Sequence, residues 1–215
     1  MFDFVNASGF KGGKIIEPSA GVGNFLGMMP SNISNVSEVT TVEKDILQGT
    51  VLNYLYPTAN NTINSLEKSL VPSNQNLVIT NTPFGDNKIY DEFLSKKAQK
   101  LYDGLGIHHY YAVKSIEMAD QDGLILLLTS RFILDSKSNT ELKKYINSTC
   151  EFHGAFRLPN NTFKNNAGTN ALSDLIILRK LRNDETKKPN LSIESLGTIK
   201  IPSSKKEDLS LYDVS

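Results

Sequence analysis

Cysteine is nearly absent from this sequence, in which Cys150 is the only one. A single thiol excludes a disulfide framework and a zinc site built from several cysteines, so we expect an ordinary buried thiol. Long apolar runs are also lacking, since no stretch approaches the roughly 18 residues of a membrane span. The opening residues, MFDFVNASGFKGGK, have no long apolar core of the kind that signal peptides carry. We therefore expect a cytoplasmic protein with no membrane partner.

Neither sign of charge is in excess, because 23 Lys and Arg residues balance 23 Asp and Glu residues. Proteins that hold nucleic acid unaided usually show a basic excess, so the balance counts against strong independent DNA binding, although a neutral total can hide a basic face. The three histidines, His108, His109 and His153, are not surrounded by carboxylates at ligand spacing. We expect no metal site, and we interpret the adjacent His108 and His109 as structural.

Short apolar runs alternate with helix-like stretches through most of the 215 residues. Strands are predicted at 14–17, 38–43, 77–80, 123–129, 151–158 and 174–179. Helices are predicted at 22–29, 45–56, 107–119 and 140–148. This alternation predicts an α/β fold with a doubly wound, mainly parallel sheet. After Leu181 the sequence becomes polar and charged. We therefore expect one domain over 1–181 and a tail or linker over 182–215.

The first predicted strand leads into a loop of small residues, EPSAGVGNF, at positions 17–25. Gly21 and Gly23 let the backbone approach a ligand closely, and ligands of open parallel sheets bind beyond the carboxyl ends of the strands. The loop has neither the lysine of a P-loop nor the third glycine of a dinucleotide loop. Taken alone, it is equally compatible with an ordinary strand-to-helix turn.

An acidic residue, Glu43, ends the second predicted strand. A carboxylate at this place can accept hydrogen bonds from both hydroxyls of a ribose. The alternative is a solvated glutamate at a strand end. Because Glu43 follows the glycine loop by about twenty residues, the pair favours a cofactor that contains adenosine.

The strand at 77–80 ends in Asn81, Thr82, Pro83 and Phe84. The amino group of adenine is a poor nucleophile, because its lone pair is delocalised into the ring. An amide oxygen from Asn81 and the carbonyl of Thr82 can accept its two N–H groups and stabilise the charge that develops on nitrogen. Pro83 makes the turn rigid, and Phe84 can stack on a base that has left the duplex. A common Asn-X-Pro turn is the structural alternative.

These blocks in order, EPSAGVGNF, TVEKD and NLVITNTPFGD, resemble the amino-group DNA methyltransferases, whose catalytic motif reads Asn/Asp/Ser-Pro-Pro-Tyr/Phe. The resemblance is strongest to the N6-adenine methylase domains of large phage and plasmid proteins that also carry helicase domains. It continues through residues 87–91, 107–135 and 154–178 and covers about 14–180. It implies the class I S-adenosylmethionine-dependent methyltransferase fold with an antiparallel last strand. It also implies methyl transfer from S-adenosylmethionine directly to N6 of adenine in DNA, single-stranded or flipped.

The resemblance also implies roles for individual residues. The residues that would surround the methionine part of the cofactor are Glu17, Pro18, Ala20, Gly21, Gly23 and Asn24. Glu43 would hold the ribose, with Lys44 beside the adenine and Glu67 near its amine. The catalytic turn would be Asn81, Thr82, Pro83 and Phe84. Phe163 would contact the target base. Apart from the resemblance, three basic residues flank the expected mouth of the cleft and would either contact phosphates or remain solvated: Lys88, Arg157 and Lys164.

Two departures from the family pattern matter. Thr82 replaces the first proline of the commonest motif, although the chemistry requires only the carbonyl of that residue. Few residues precede the first strand, where the family carries a further segment that contacts the cofactor. We therefore expect a minimal domain, a fragment or a subunit, with target recognition supplied by a separate recognition or helicase domain or chain. The alternatives are methylation of a protein glutamine or an RNA amine, and a catalytically silent domain kept for binding or assembly.

Overall fold

The computed structural model describes residues 1–85, 88–159, 172–185 and 193, together with the backbone of 197–200 and 210–213. Its main strands are β1 Lys14–Glu17, β2 Glu38–Glu43, β3 Asn60–Ile63, β4 Gln75–Asn81, β5 Ala119–Ser130, β6 Cys150–Arg157 and β7 Ser173–Lys180. They form one seven-stranded sheet in the order β3-β2-β1-β4-β5-β7-β6. The pairs among the first five strands of that order are parallel, and β7 runs antiparallel to both β5 and β6.

Helices cover both faces of this sheet. They are α1 Phe2–Ala7, α2 Asn24–Gly27, α3 Ser31–Ser34, α4 Ile46–Leu55, α5 Lys96–Lys100, α6 Ile107–Met118, α7 Phe132–Asp135 and α8 Thr140–Thr149, with a 3-10 turn at Leu66–Lys68. Neighbouring residues of one strand enter opposite cores, as Ile15 packs on the α1 side and Ile16 on the α6 side. Burial on both faces explains the continuous apolar runs of the central strands.

The predicted doubly wound, mainly parallel sheet with an antiparallel last strand is confirmed. The helix predicted at 22–29 is shorter, because Gly23 takes a left-handed φ of 87° and α2 begins only at Asn24. The edge strand β3 was not predicted from the sequence, because its residues, NNTI, are mostly polar and are largely exposed. Part of the expected tail is structured: β8 (Gly197–Lys200) and β9 (Ser210–Asp213) pair antiparallel, and Ile193 is buried.

No helix within the described ranges is long and apolar enough to cross a membrane. Within the same ranges, no group of three or more His, Cys, Asp or Glu side chains is arranged to hold a metal ion. Cys150 is buried at the start of β6.

A buried ion pair ties the segment after β4 to α6. Asp91 is fully buried, and its Oδ2 lies 2.7 Å from Lys114 Nζ and accepts a hydrogen bond from the Tyr110 hydroxyl at 2.8 Å. Its Oδ1 accepts the backbone N–H of Phe93 at 2.9 Å. These contacts fix the chain between β4 and α5 against the middle of α6.

We expect Asp91→Asn to lower the free energy of unfolding by about 3–5 kcal/mol, because Lys114 would keep its charge in the interior without its counterion. Denaturant-induced unfolding measures the change. The control is Glu141→Gln, which breaks the exposed pair between Glu141 and Lys144 and should change stability by less than about 1 kcal/mol. Equal effects of the two substitutions would contradict a structural role for the Asp91 pair.

Candidate active site

A cleft of about 500 Å³ opens at the carboxyl ends of β1, β2 and β4. The order of the sheet reverses between β1 and β4, and such switch points are where open α/β sheets bind ligands. A second hollow of about 600 Å³ lies against the same loop after β1. The two share four lining residues, Ser19, Gly21, Gln48 and Asn81. Together they form an extended site that runs from the glycine loop to the turn after β4.

Most of the residues predicted for cofactor and catalysis line these two hollows. The 500 Å³ cleft contains Pro18, Gly21, Glu43, Lys44, Glu67, Asn81, Thr82, Pro83 and Phe84. The other hollow contains Glu17, Ala20 and Asn24. They converge because parallel strands present their carboxyl ends at one edge of the sheet.

The Glu43 carboxylate joins the glycine loop to the start of α4. Its Oε2 accepts the N–H of Gly21 at 2.6 Å, and its Oε1 accepts the N–H of Asp45 at 2.7 Å. Asp45 in turn caps α4 by accepting the N–H of Gln48 at 2.8 Å. Each carboxylate oxygen has further acceptor capacity, so Glu43 can hold the loop and still accept hydrogen bonds from a ligand in the cleft.

Glu17 is buried at the end of β1, and its Oε2 has no hydrogen-bond partner. Burial, followed by the negative charge of Glu43, raises the pKa of Glu17 to about 9. The group is therefore a neutral acid at pH 7 in the ligand-free protein. A cationic ligand group in the cleft would be attracted to this carboxyl, because a nearby positive charge favours the ionised form of the carboxyl.

Gly23 does not line either hollow, although it was predicted to contact the cofactor. Its left-handed backbone, with φ 87°, brings it against α4, and a Cβ there would lie 2.4 Å from the Tyr56 ring and 2.7 Å from Leu52. In the structure Gly23 lets the loop pack closely on α4.

The turn after β4 is anchored to the neighbouring strand β5. Asn81 ends the strand in an exposed position, whereas Thr82 is buried. The Thr82 N–H donates to the carbonyl of Leu128 at 2.8 Å, and its hydroxyl donates to the Thr129 hydroxyl at 2.8 Å. A proline at this position would have no N–H for the first of these bonds. Thr82 thus anchors the turn to β5.

Beyond the turn, Phe84 is 46% exposed beside the cleft. The carbonyl of Gly85 accepts the N–H of Ile107 at 3.0 Å, which joins the turn to the first residue of α6. Tyr111, one turn further along α6, reaches the cleft wall. The sequence alone does not show that Tyr111 lines the cleft whereas Tyr110 belongs to the core, because both lie in the same apolar stretch of the helix.

The residues predicted to contact the substrate have different outcomes. The Arg157 guanidinium lies 2.8 Å from Asp174 and 2.9 Å from Asp135, with the side chain only 5% exposed. These two carboxylates give Arg157 a structural role that joins β6, β7 and α7, which leaves it poorly placed to contact phosphate. Phe163 and Lys164 lie outside the described residues.

No protein-family model matches the chain. Among curated proteins, it is 25% identical over 187 residues to the defense against restriction protein B of Escherichia phage P1, a match that takes in 84% of this chain and 8% of the phage protein. The chain therefore corresponds to a small part of that relative's length.

Solved structures give a clearer likeness of fold. The methyltransferase subunit of a type I restriction-modification system from Streptococcus thermophilus matches with a TM-score of 0.66 and 15% identity, over 81% of this chain and 41% of that one. A protein assigned to the class I S-adenosylmethionine-dependent methyltransferases, from Listeria monocytogenes, matches with a TM-score of 0.64 and 15% identity, over 83% and 57%. The chain thus has the class I S-adenosylmethionine-dependent methyltransferase fold, and it spans about half the length of these two proteins.

We expect the stability of the ligand-free protein to fall as the pH rises from about 4.5 to about 9, by up to about 1.4 kcal/mol per pH unit. In this window the unfolded chain has released the Glu17 proton while the folded protein retains it, so raising the pH favours unfolding. Glu17→Gln should remove this contribution, as measured by unfolding at a series of pH values. If the unfolding free energies of the wild type and of Glu17→Gln changed with pH in parallel, Glu17 could not be a buried neutral acid.

Gly23→Ala should destabilise the protein more than Gly9→Ala. Both glycines have left-handed φ, 87° and 81°, but a Cβ at Gly9 meets nothing within 4 Å. Both substitutions should lose about 1–2 kcal/mol of stability, because alanine is unfavourable in the left-handed conformation. Overpacking against Tyr56 and Leu52 should add a further loss of about 1–3 kcal/mol in Gly23→Ala. Thermal or denaturant unfolding measures the difference, and equal losses would show that the contact with α4 carries no strain.

Proposed function

We propose that this domain transfers a methyl group from S-adenosylmethionine to an exocyclic amino nitrogen, N6 of adenine in DNA. The observation that carries the proposal is the position of the catalytic turn. Asn81 ends β4 within the same cleft as Gly21 and Glu43, so a cofactor held by the glycine loop would lie next to the Asn81 amide. Phe84 provides an exposed aromatic surface beside it.

The donor groups of the site fit such a cofactor. Glu43 lines the cleft and has acceptor capacity left for the ribose hydroxyls. The unpartnered Glu17 carboxyl suits a ligand that carries positive charge, and the cofactor has both a sulfonium and an ammonium group. When bound, the sulfonium supplies an activated methyl group. Lys44 and Glu67 also line this cleft and would be available to the adenine.

The residues of the turn would hold the amine that is methylated. The Asn81 side-chain oxygen and the Thr82 carbonyl would each accept one of its N–H groups, which keeps the nitrogen lone pair directed into the cleft. The bonds from Thr82 to Leu128 and Thr129 hold this turn in position before substrate arrives. Acceptors that need no reorganisation stabilise the developing positive charge on nitrogen. The main contribution of the protein is then in-line positioning, with no covalent intermediate.

DNA is the proposed substrate on two grounds. The resemblance at 154–169 is to enzymes that modify adenine in DNA. One match is named for defense against restriction, and another is a subunit of a restriction-modification system. Because the chain spans 8% of the phage protein, we propose that a separate recognition or helicase domain or chain delivers the DNA.

Asn81→Ala should reduce methyl transfer by about 100- to 1,000-fold, the usual effect of removing one preorganised polar contact. The assay incubates the protein with labelled S-adenosylmethionine and adenine-containing DNA, single-stranded and duplex. Cofactor affinity, measured by calorimetry, should change little, because Asn81 acts on the amine. Asn53→Ala, on the exposed surface of α4, is the matched control and should retain full activity.

The outcomes separate the alternatives. Normal cofactor binding without label in DNA from the wild type would rule out DNA as substrate. Label in a protein extract or in RNA would then identify the other acceptors of the same turn. Absence of any cofactor binding would point to a catalytically silent domain.

A further inference from the structure

His108 lies buried behind the catalytic turn with both ring nitrogens unpartnered. It is 6% exposed, and neither Nδ1 nor Nε2 has a hydrogen-bond partner. A Cβ placed on Gly106 would lie 2.7 Å from the His108 ring and 2.9 Å from the carbonyl of Gly85, so ring and turn are neighbours. Buried polar groups are nearly always paired, because an unmade hydrogen bond in the interior is unfavourable. Two open positions on one ring therefore need an explanation.

The adjacent histidine differs, because one of its ring nitrogens has a clear partner. His109 Nδ1 lies 3.2 Å from the carbonyl of Gly106, and its Nε2 lies 3.4 Å from Asn139 Nδ2. The two hydrogens of Asn139 Nδ2 are directed to the carbonyls of Phe132 and Ile133, at 3.0 and 2.9 Å, which holds α7 beside Asn139. His109 is thus a structural residue, as the sequence suggested for both histidines, and it provides a control for His108.

An aromatic residue and a cation stand next to His108 on the side away from the glycine loop. The Phe132 ring centroid is 6.3 Å from that of His108, and Phe132 is 49% exposed. The Arg131 guanidinium lies 5.3 Å from the Phe132 ring centroid and 3.9 Å from the Asp135 carboxylate, and its side chain, unlike that of Arg157, is 43% exposed. Both residues follow the end of β5, which pairs directly with β4, the strand that carries Asn81. They therefore lie beyond Asn81 on the side of the site opposite to Glu43.

We propose that His108, Phe132 and Arg131 form a second binding subsite that takes the nucleobase entering beside Asn81 and its attached phosphate. Phe132 provides a stacking face and Arg131 a positive charge for the phosphate. The two unpartnered nitrogens of His108, which are buried in the ligand-free protein, provide a hydrogen-bond donor and an acceptor for the base edge. The inference rests on the proposed function and extends it, because it assigns the base-binding surface to residues after β5 and at the start of α6.

The chemistry of these side chains favours a nucleobase over a glutamine side chain. Burial, and to a smaller extent His109, lowers the pKa of His108 to about 4. A neutral imidazole offers one donor and one acceptor, which matches the edge of a base. A glutamine amide could use the hydrogen bonds but would leave the exposed Phe132 ring without a stacking partner. Exposed aromatic rings combined with arginine are typical of surfaces that bind single-stranded nucleic acid.

The sequence contains no tryptophan, so Phe132→Trp introduces a single fluorescent reporter at the proposed subsite. An adenine-containing single-stranded oligonucleotide should quench this tryptophan, and the same oligonucleotide with an abasic site should quench it much less. The matched control is Tyr54→Trp, an 83% exposed position on α4, which should respond equally weakly to both. Equal responses at the two positions would overturn the proposal.

His108→Phe in the Phe132→Trp protein tests the imidazole itself. It should weaken oligonucleotide binding about tenfold, a loss of about 1.4 kcal/mol, while leaving stability unchanged or higher because an unpaired buried group is removed. His109→Phe should instead lower stability through its lost contacts. Unchanged oligonucleotide binding by His108→Phe would show that His108 does not contact the base. Methyl transfer to DNA without preferential quenching in the Phe132→Trp protein would refute this inference alone, whereas quenching without methyl transfer would refute only the proposed function.

Discussion

Parallel pairing of β1 with β4, with Ile15 opposite Leu77 and Ile16 opposite Val78, is the constraint on which the site depends. The chain leaves both strands at the same edge of the sheet, so the glycine loop and the turn after β4 emerge side by side although about sixty residues separate them. The reversal of strand order at this point leaves a cleft between the two connections. Neither segment could form the site without the other.

Hydrogen bonds then hold the two connections in a defined arrangement. Glu43 connects the Gly21 and Asp45 amides, and Thr82 connects the β4 turn to β5. Further back, Asp91 binds Lys114 and Tyr110, so the chain beyond the turn rests on α6. The site is built from polar contacts of loops, whereas the apolar sheet only sets their positions.

Two glutamates in this site show how environment separates similar groups. Glu43 uses both oxygens to accept backbone N–H groups, whereas Glu17 has an unpartnered oxygen and a strongly raised pKa. The two adjacent histidines differ in the same way, since His109 is paired and His108 is not. Identical residue types therefore divide into paired and unpaired groups according to what the fold places around them.

The sequence by itself determined the fold class and the principal strands, because central parallel strands are buried on both faces and must be continuously apolar. It also located the glycine loop, Glu43 and the turn at Asn81, because each of them lies at the end of a strand that the sequence predicts. Only the tertiary structure decided that Gly23 packs on α4, that Arg157 is held by Asp135 and Asp174, and that His108 has no partner. Each of these depends on residues distant in sequence, whose approach no local pattern encodes.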